Sequence, residues 1–194
     1  MKQIPNPNYL KKYLNSSPLY PFINQYQLLN KFKSLYLKPG QKCELPSASL
    51  VFLAEGLLKQ YHRNNSNGND IRFIQFIMPD TMWLFEHNPW FPIVKALEPT
   101  CLLYLPINEL NPFMADNNSF QMAFNDELNM VYQSGFFLST FLQELKSPEE
   151  RLCLLNEAYG QNLVHLSCRE LAIYAGVSEA NAYHFFKQLI NQNY

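Results

Sequence analysis

Residues 167–189, SCRELAIYAGVSEANAYHFFKQL, decide the reading of this chain. Ser167 followed three residues later by Glu170 is a capping box, so a helix opens at Cys168. It ends at Ala175-Gly176, where glycine takes the left-handed conformation that stops a helix. Ser178 then caps a further helix, EANAYHFFKQLINQ. Two helices joined by a glycine-containing turn give the helix-turn-helix pattern. The residue types suit its packing: Ala172 is small where the helices cross, and Val177, Ala182 and Phe185 plug the angle with Leu171 and Ala175. An ordinary helical hairpin remains the alternative that spacing alone leaves open.

Upstream, Ser147-Pro148-Glu149-Glu150 combines a cap, a proline suited to the first helical position and a reciprocal Glu. That helix runs through Leu152, Leu155 and Ala158 and stops near Gly160. Between Asp116 and Lys146 there is no Pro and only Gly135, and apolar residues recur from Phe120 through Phe124, Leu128 and Val131 to Leu138, Phe141, Leu142 and Leu145. This periodicity predicts one long helix of about 45 Å, for which a second copy is the natural partner. Two shorter helices are the alternative.

Between Leu35 and Leu110 the texture is that of short strands. SLVFLAEG (49–56), LLKQYH (57–62), IRFIQFI (71–77) and CLLYLP (101–106) are separated by turn-rich segments, with Asn67-Gly68 as an expected hairpin tip. Antiparallel strands at this spacing suit a small barrel or jelly roll. Ahead of them, Leu28, Leu29, Phe32 and Leu35 stand at near-helical spacing and predict a short amphipathic helix within 18–35.

Composition bounds the function. Of 194 residues, 47% are apolar and 16% charged, as expected of a folded globule. The formal charge of −1 hides an uneven spread: residues 1–46 carry seven Lys against one Glu, 47–146 five bases against ten acids, and 147–194 three bases against five acids. The basic start reads as a solvated terminal helix or a phosphate-contacting arm. No secretory signal and no membrane-length apolar run are present, which predicts a cytoplasmic protein without membrane contact. Cys43, Cys101, Cys153 and Cys168 form no C-x-x-C pair and are read as buried thiols, with no metal or cofactor implied. His62 and His87 supply no H-x-H for a metal oxygenase, and no G-x-S-x-G, P-loop or G-x-G-x-x-G occurs, so no enzyme is expected.

The stretch CRELAIYAGVSEANAYHFFKQL resembles the helix-turn-helix of the Crp/Fnr family of bacterial transcription regulators. The order of parts is also similar: LKPGQ (37–41) resembles the first turn of that family's cyclic-nucleotide-binding-like jelly roll, SLVFLAEGLLKQYH its strand–Gly–strand unit, IRFIQFIMPDTM the next strand and turn, and ALEPTCLLYLPINEL its closing strands. The resemblance implies an α+β fold: an antiparallel jelly-roll sensor domain (1–115), a long dimerisation helix (116–146) and a helix-turn-helix domain (147–194). It implies a homodimer that binds the major groove of a two-fold operator, with RNA polymerase as a further partner. Glu179 and His184 occupy the places of the family's base-reading arginines, and Ala180 that of a following Glu. They suit a cytosine amino group, a purine and a thymine methyl respectively. Ser167, Arg169, Ser178, Asn181 and Lys187 take places suited to phosphate contact.

Three departures from the family stand out. The sequence stops at Tyr194 without the wing hairpin, the helix-turn-helix segment is net acidic, and no Arg lies between residues 73 and 150 to hold a cyclic phosphate. Lys95 is the only cation near that cassette, and an ammonium does not replace a bidentate fork. Cyclic AMP and GMP are therefore excluded as effectors. A small-molecule effector, if one exists, would sit in an apolar pocket of Tyr61, Trp83, Phe85 and Trp90 with Arg72 or Glu86 as anchor, unless these aromatics only fill the barrel. An interaction module that keeps the fold without specific DNA binding is the alternative function.

Overall fold

The computed structural model describes residue 17 and residues 19–64, 70–86 and 92–191. In chain order its elements are α1 (Tyr20–Gln25), β1 (Lys33–Leu37), β2 (Ser49–Glu55), β3 (Leu58–Asn64), β4 (Asp70–Ile77), β5 (Thr81–Phe85), β6 (Ile93–Ala96) and β7 (Thr100–Pro106). These are followed by α2 (Ile107–Ala115), α3 (Asn118–Glu144), α4 (Pro148–Tyr159), α5 (Cys168–Ala175) and α6 (Glu179–Asn191). The chain divides into two compact units, Met1–Leu58 with Ile77–Ser134, and Lys59–Phe76 with Gly135–Tyr194.

The first unit is built on an antiparallel sheet of order β1-β7-β2-β5. SLVFLA in β2 is buried at every position because its two faces feed two cores. Leu50, Phe52 and Ala54 pack with Ile23, Leu28, Leu110, Phe120 and Phe124 from the helical side. Val51 and Leu53 face Leu37, Leu45, Trp83, Val94 and Leu102. A strand covered on both faces reads as a continuous apolar run rather than an alternation, and β7 repeats the pattern. The 40–43 segment bonds to β6 through Cys43 N–H to Val94 O (2.8 Å) and Ala96 N–H to Gln41 O (2.9 Å). Gly56 is the one residue type that fits after β2. Its φ is +95°, and a Cβ there would lie 2.6 Å from Pro99 O and 2.8 Å from Thr100 Cα.

The helix expected within 18–35 is shorter than its spacing suggested. It covers Tyr20–Gln25, Gln27 turns left-handed at φ 53°, and a single 3-10 turn spans Leu28–Lys31. Leu35 belongs to β1, opposite Leu102 of β7. Pairing with β7 supplies Lys33–Leu37 with ladder hydrogen bonds, and this outweighs a local helical preference. The expected periodicity between 116 and 146 corresponds to one helix, α3, of 27 residues. Within the first unit its Glu127 is buried and accepts a hydrogen bond from the Ser17 hydroxyl. The expected hairpin tip at Asn67-Gly68 and Lys2, Lys11 and Lys12 of the basic start lie outside the described residues.

Candidate nucleic-acid interface

Two capping boxes set the helices of the second unit. At α4, Ser147 Oγ accepts from Glu150 N–H (3.1 Å) while Ser147 N–H donates to Glu150 Oε2 (3.3 Å). At α5, Ser167 and Glu170 exchange the same bonds at 3.2 and 2.9 Å. Gly176 then stands at φ 65°, ψ 39°, and Val177 N–H returns to Ala172 O at 3.0 Å, closing the turn. Ser178 Oγ accepts from Asn181 N–H at 3.2 Å and opens α6.

Leu171, Ala172, Ala175, Ala182 and Phe186 are buried, as are Leu152, Leu155, Leu163 and Leu166 below them. Phe185, expected as the plug, is only half-buried, and the neighbouring Phe186 takes that place. Both phenylalanines lie within one turn of Ala182, three and four residues on, and it is Phe186 that is buried with it, while Phe185 lines an open cleft on the other side. Arg151 of α4 fastens the turn from beneath: its Nε donates to Leu145 O (2.8 Å) and its Nη1 to Ala175 O (3.3 Å) and Gly176 O (2.9 Å). Sequence reading gave Arg151 no role, because its partners are carbonyls that no residue type announces.

Burial of Ala182 and Phe186 turns the other face of α6 outward. Glu179, Ala180, Tyr183, His184 and Lys187 are exposed there, and Asn181 is half-buried beside its cap. The Tyr183 and His184 rings lie 5.9 Å apart in an edge arrangement. Tyr183, 58% exposed, is the residue that sequence reasoning missed, although Ala180, Tyr183 and Lys187 share helical spacing. On α5, Ser167 and Arg169 are exposed too. A cleft of about 430 Å3 is lined by Cys153, Asn156, Asn181, His184, Phe185 and Gln188.

Lys59 of β3 forms an ion pair with Glu170. Burial opposes ionisation of that carboxyl, but the hydrogen bond from Lys59, those from Ser167 and the Lys59 charge together hold it below the usual carboxylate range. Phe73 and Phe76 of β4 meet Tyr174 and Tyr159: Phe73–Tyr174 at 4.7 Å and Phe76–Tyr159 at 5.1 Å, both edge-to-face. Burial pushes both tyrosine hydroxyls up, and they are hydrogen-bonded to one another.

Of the six residues expected around an effector, five are among the described residues. Tyr61 (β3) and Arg72 (β4) belong to the second unit, Tyr61 buried. Trp83 is buried in the first unit's core, with Phe85 packed on the same cluster, and its indole N–H meets no acceptor among the described residues. Glu86 follows β5 and is half-buried, and Trp90 lies outside the described residues. Of the cysteines, Cys43 and Cys101 are buried, and burial followed by the Glu44 charge pushes the Cys43 thiol up to about 12. Cys153 and Cys168, also expected to be buried, are exposed and half-buried respectively, because Cys153 stands off the face of α4 that buries Leu152 and Leu155 and Cys168 opens the first turn of α5. Among the described residues no cluster of metal-ligating side chains occurs, and no helix is long and apolar enough to cross a membrane.

No protein-family model matches the sequence, and no curated protein matches it either. Solved structures do. A protein from Eubacterium rectale assigned to the Crp/Fnr family of transcriptional regulators is 13% identical, with a TM-score of 0.64 over 92% of this chain and 88% of that one. FixK2 of Bradyrhizobium japonicum is 14% identical, with a TM-score of 0.59 over 84% and 86%. The c-di-GMP-responsive global regulator CLP of Xanthomonas campestris is 12% identical, with a TM-score of 0.58 over 87% and 91%. The chain therefore shares its fold, antiparallel strands followed by a long helix and a helix-turn-helix, with these solved structures. At such identities the likeness is one of fold, as the sequence resemblance implied.

Proposed function

We propose that this chain is a DNA-binding transcriptional regulator of the Crp/Fnr type, a homodimer that places one α6 in each of two successive major grooves of a two-fold operator. The observation that carries this reading is the outward face of α6, where Ala180, Tyr183, His184 and Lys187 stand exposed while Ala182 and Phe186 anchor the helix. Glu179, Ala180 and His184 read bases, and Ser167, Arg169, Ser178, Asn181 and Lys187 hold phosphates. Residues 1–115 act as the sensor domain, 116–146 as the dimer helix and 147–194 as the DNA-binding domain. Phe137 and Phe141, one turn apart on α3 and each 55% exposed, supply apolar area for a second copy. The effector, where one acts, is a small molecule other than cyclic AMP or GMP, given the missing Arg between 73 and 150.

The test is selection of a duplex from random DNA by the full chain, followed by gel shifts at two salt concentrations. His184→Ala should weaken the selected duplex by about tenfold to a hundredfold, the worth of one good base contact. Binding to an unrelated duplex should not change. Arg169 and Lys187 are the exposed cations described within 147–194, so a dimer engages about four phosphates through them and the log–log salt slope should be near −4. Equal, weak binding to every duplex would refute the proposal.

A further inference from the structure

We propose that Glu170 is a positioning residue for the recognition helix, and that strands β3 and β4, neighbours in one sheet, set the helix-turn-helix through it. This inference rests on the DNA-binding reading for its functional consequence, but its structural content stands apart from it.

Glu170 does two things with one carboxylate. Its Oε2 accepts from Ser167 N–H and Oγ–H, at 2.9 and 3.0 Å, and so closes the capping box of α5. Its Oε1 accepts from Lys59 Nζ, at the far end of a side chain rooted in β3. The pair is largely withdrawn from water, with side-chain exposures of 11% for Lys59 and 15% for Glu170. A capping box needs no lysine, and desolvating two charges is a poor route to stability. What such a pair does supply is a fixed geometry, because neither charge can be left alone.

A second contact fixes the other end of α5. Tyr174, near its C-terminus, meets Phe73 in an edge-to-face arrangement, while Phe76 packs on Tyr159 at the end of α4. The Tyr159 hydroxyl is also hydrogen-bonded to the Phe76 backbone. The strands are themselves tied by Gln75 Nε2 donating to Gln60 Oε1 at 2.7 Å. With an ionic contact at its first turn and an aromatic one at its last, α5 is held at both ends by one pair of neighbouring strands. The burial of Leu171, Ala172, Ala182 and Phe186 between α5 and α6 makes the recognition helix follow α5. The two strands thus belong with the helix-turn-helix as one compact body, and Lys59–Glu170 is its polar joint.

The experiment compares Lys59→Met, Glu170→Gln and the double variant in the full chain. Gln keeps the capping box through its one carbonyl oxygen, so Glu170→Gln removes the ionic contact and sets an amide N–H against the Lys59 ammonium. The single variants leave one charge buried without a partner and serve to show that the pair forms. The double variant removes both charges and leaves a partly exposed amide N–H group beside Met, so it should lose less stability than either single variant and still fold. Its discrimination between a selected and an unrelated duplex should nevertheless fall by about tenfold, within the usual range of coupling between sites. Hydrogen exchange supplies a readout without DNA: the amides from Leu171 to Ala175, bonded within α5, should exchange at least about tenfold faster in the double variant, whereas those of β2 and β7 should not change. A double variant with parental discrimination and parental exchange in α5 would overturn the inference. If the parent binds all duplexes alike, the DNA reading fails, and the exchange result alone decides the joint.

Discussion

Replacing Gly176 by Ala tests the turn on which the interface depends. At φ 65°, ψ 39° the residue is left-handed, a conformation that costs an L-residue about 1–2 kcal/mol. A Cβ built there also lies 2.8 Å from Nη1 of Arg151. That atom ends a flexible side chain and can withdraw, but withdrawal breaks its bonds to Ala175 O and Gly176 O. In a half-exposed setting these bonds are worth about 1 kcal/mol together, below the full value for charged donors. The expected loss is therefore about 2–3 kcal/mol, read from urea denaturation of the full chain at unchanged m-value. The same substitution in an Arg151→Met background meets no guanidinium, and its cost should drop to the backbone part, about 1–2 kcal/mol. Equal costs in both backgrounds would refute the role given to Arg151. A loss below about 0.5 kcal/mol would refute the strained turn itself.

Two further outcomes follow from burial and charge. Phe186→Ala should cost about 3–5 kcal/mol in the same denaturation assay, and Phe185→Ala less than half of that, since Phe186 is 8% exposed and Phe185 only half-buried. The Glu170 carboxyl is held below its ordinary value, so its contribution to stability is fully present above the unfolded carboxyl pKa of about 4.3 and is lost as pH falls through the lower folded value. Acid titration of stability should thus be shallower below pH 4.3 in Glu170→Gln than in the parent, and an unchanged acid limb would contradict the ion pair.

What the sequence made legible was whatever local chemistry specifies. Ser147–Glu150 and Ser167–Glu170 announce helix starts because the cap and its reciprocal carboxylate lie within one turn. Gly176 announces a stop for the same reason. Where a segment's conformation is decided by a distant partner, local pattern misleads. Lys33–Leu37 became an edge strand because β7, nearly seventy residues later, offers it a ladder. Phe185 and Phe186 are adjacent and alike in type, and only the crossing of α5 selects which is buried. Lys59 lies 111 residues from Glu170, in a strand whose alternation gave no hint that its lysine is withdrawn from water.

Charge shows the same limit at the scale of the whole chain. A net −1 argues against bulk attraction to a polyanion, and the segmental imbalance alone does not say which cations are free. The structure sorts them by occupation. Arg151 is engaged by three carbonyls and Lys59 by a carboxylate, so neither is available to a phosphate, while Arg169 and Lys187 stand exposed beside the α6 face. Formal charge counts all four alike. In the proposed DNA complex, Arg169 and Lys187, the exposed cations described within 147–194, add little non-specific attraction, and preference for one duplex over another comes from base contacts and from the pose of α6. Under the proposed function, discrimination between duplexes then rests on the pose of α6, which the buried Lys59–Glu170 pair is proposed to hold, so the double variant at that pair reads the pose more directly than removal of either exposed cation would.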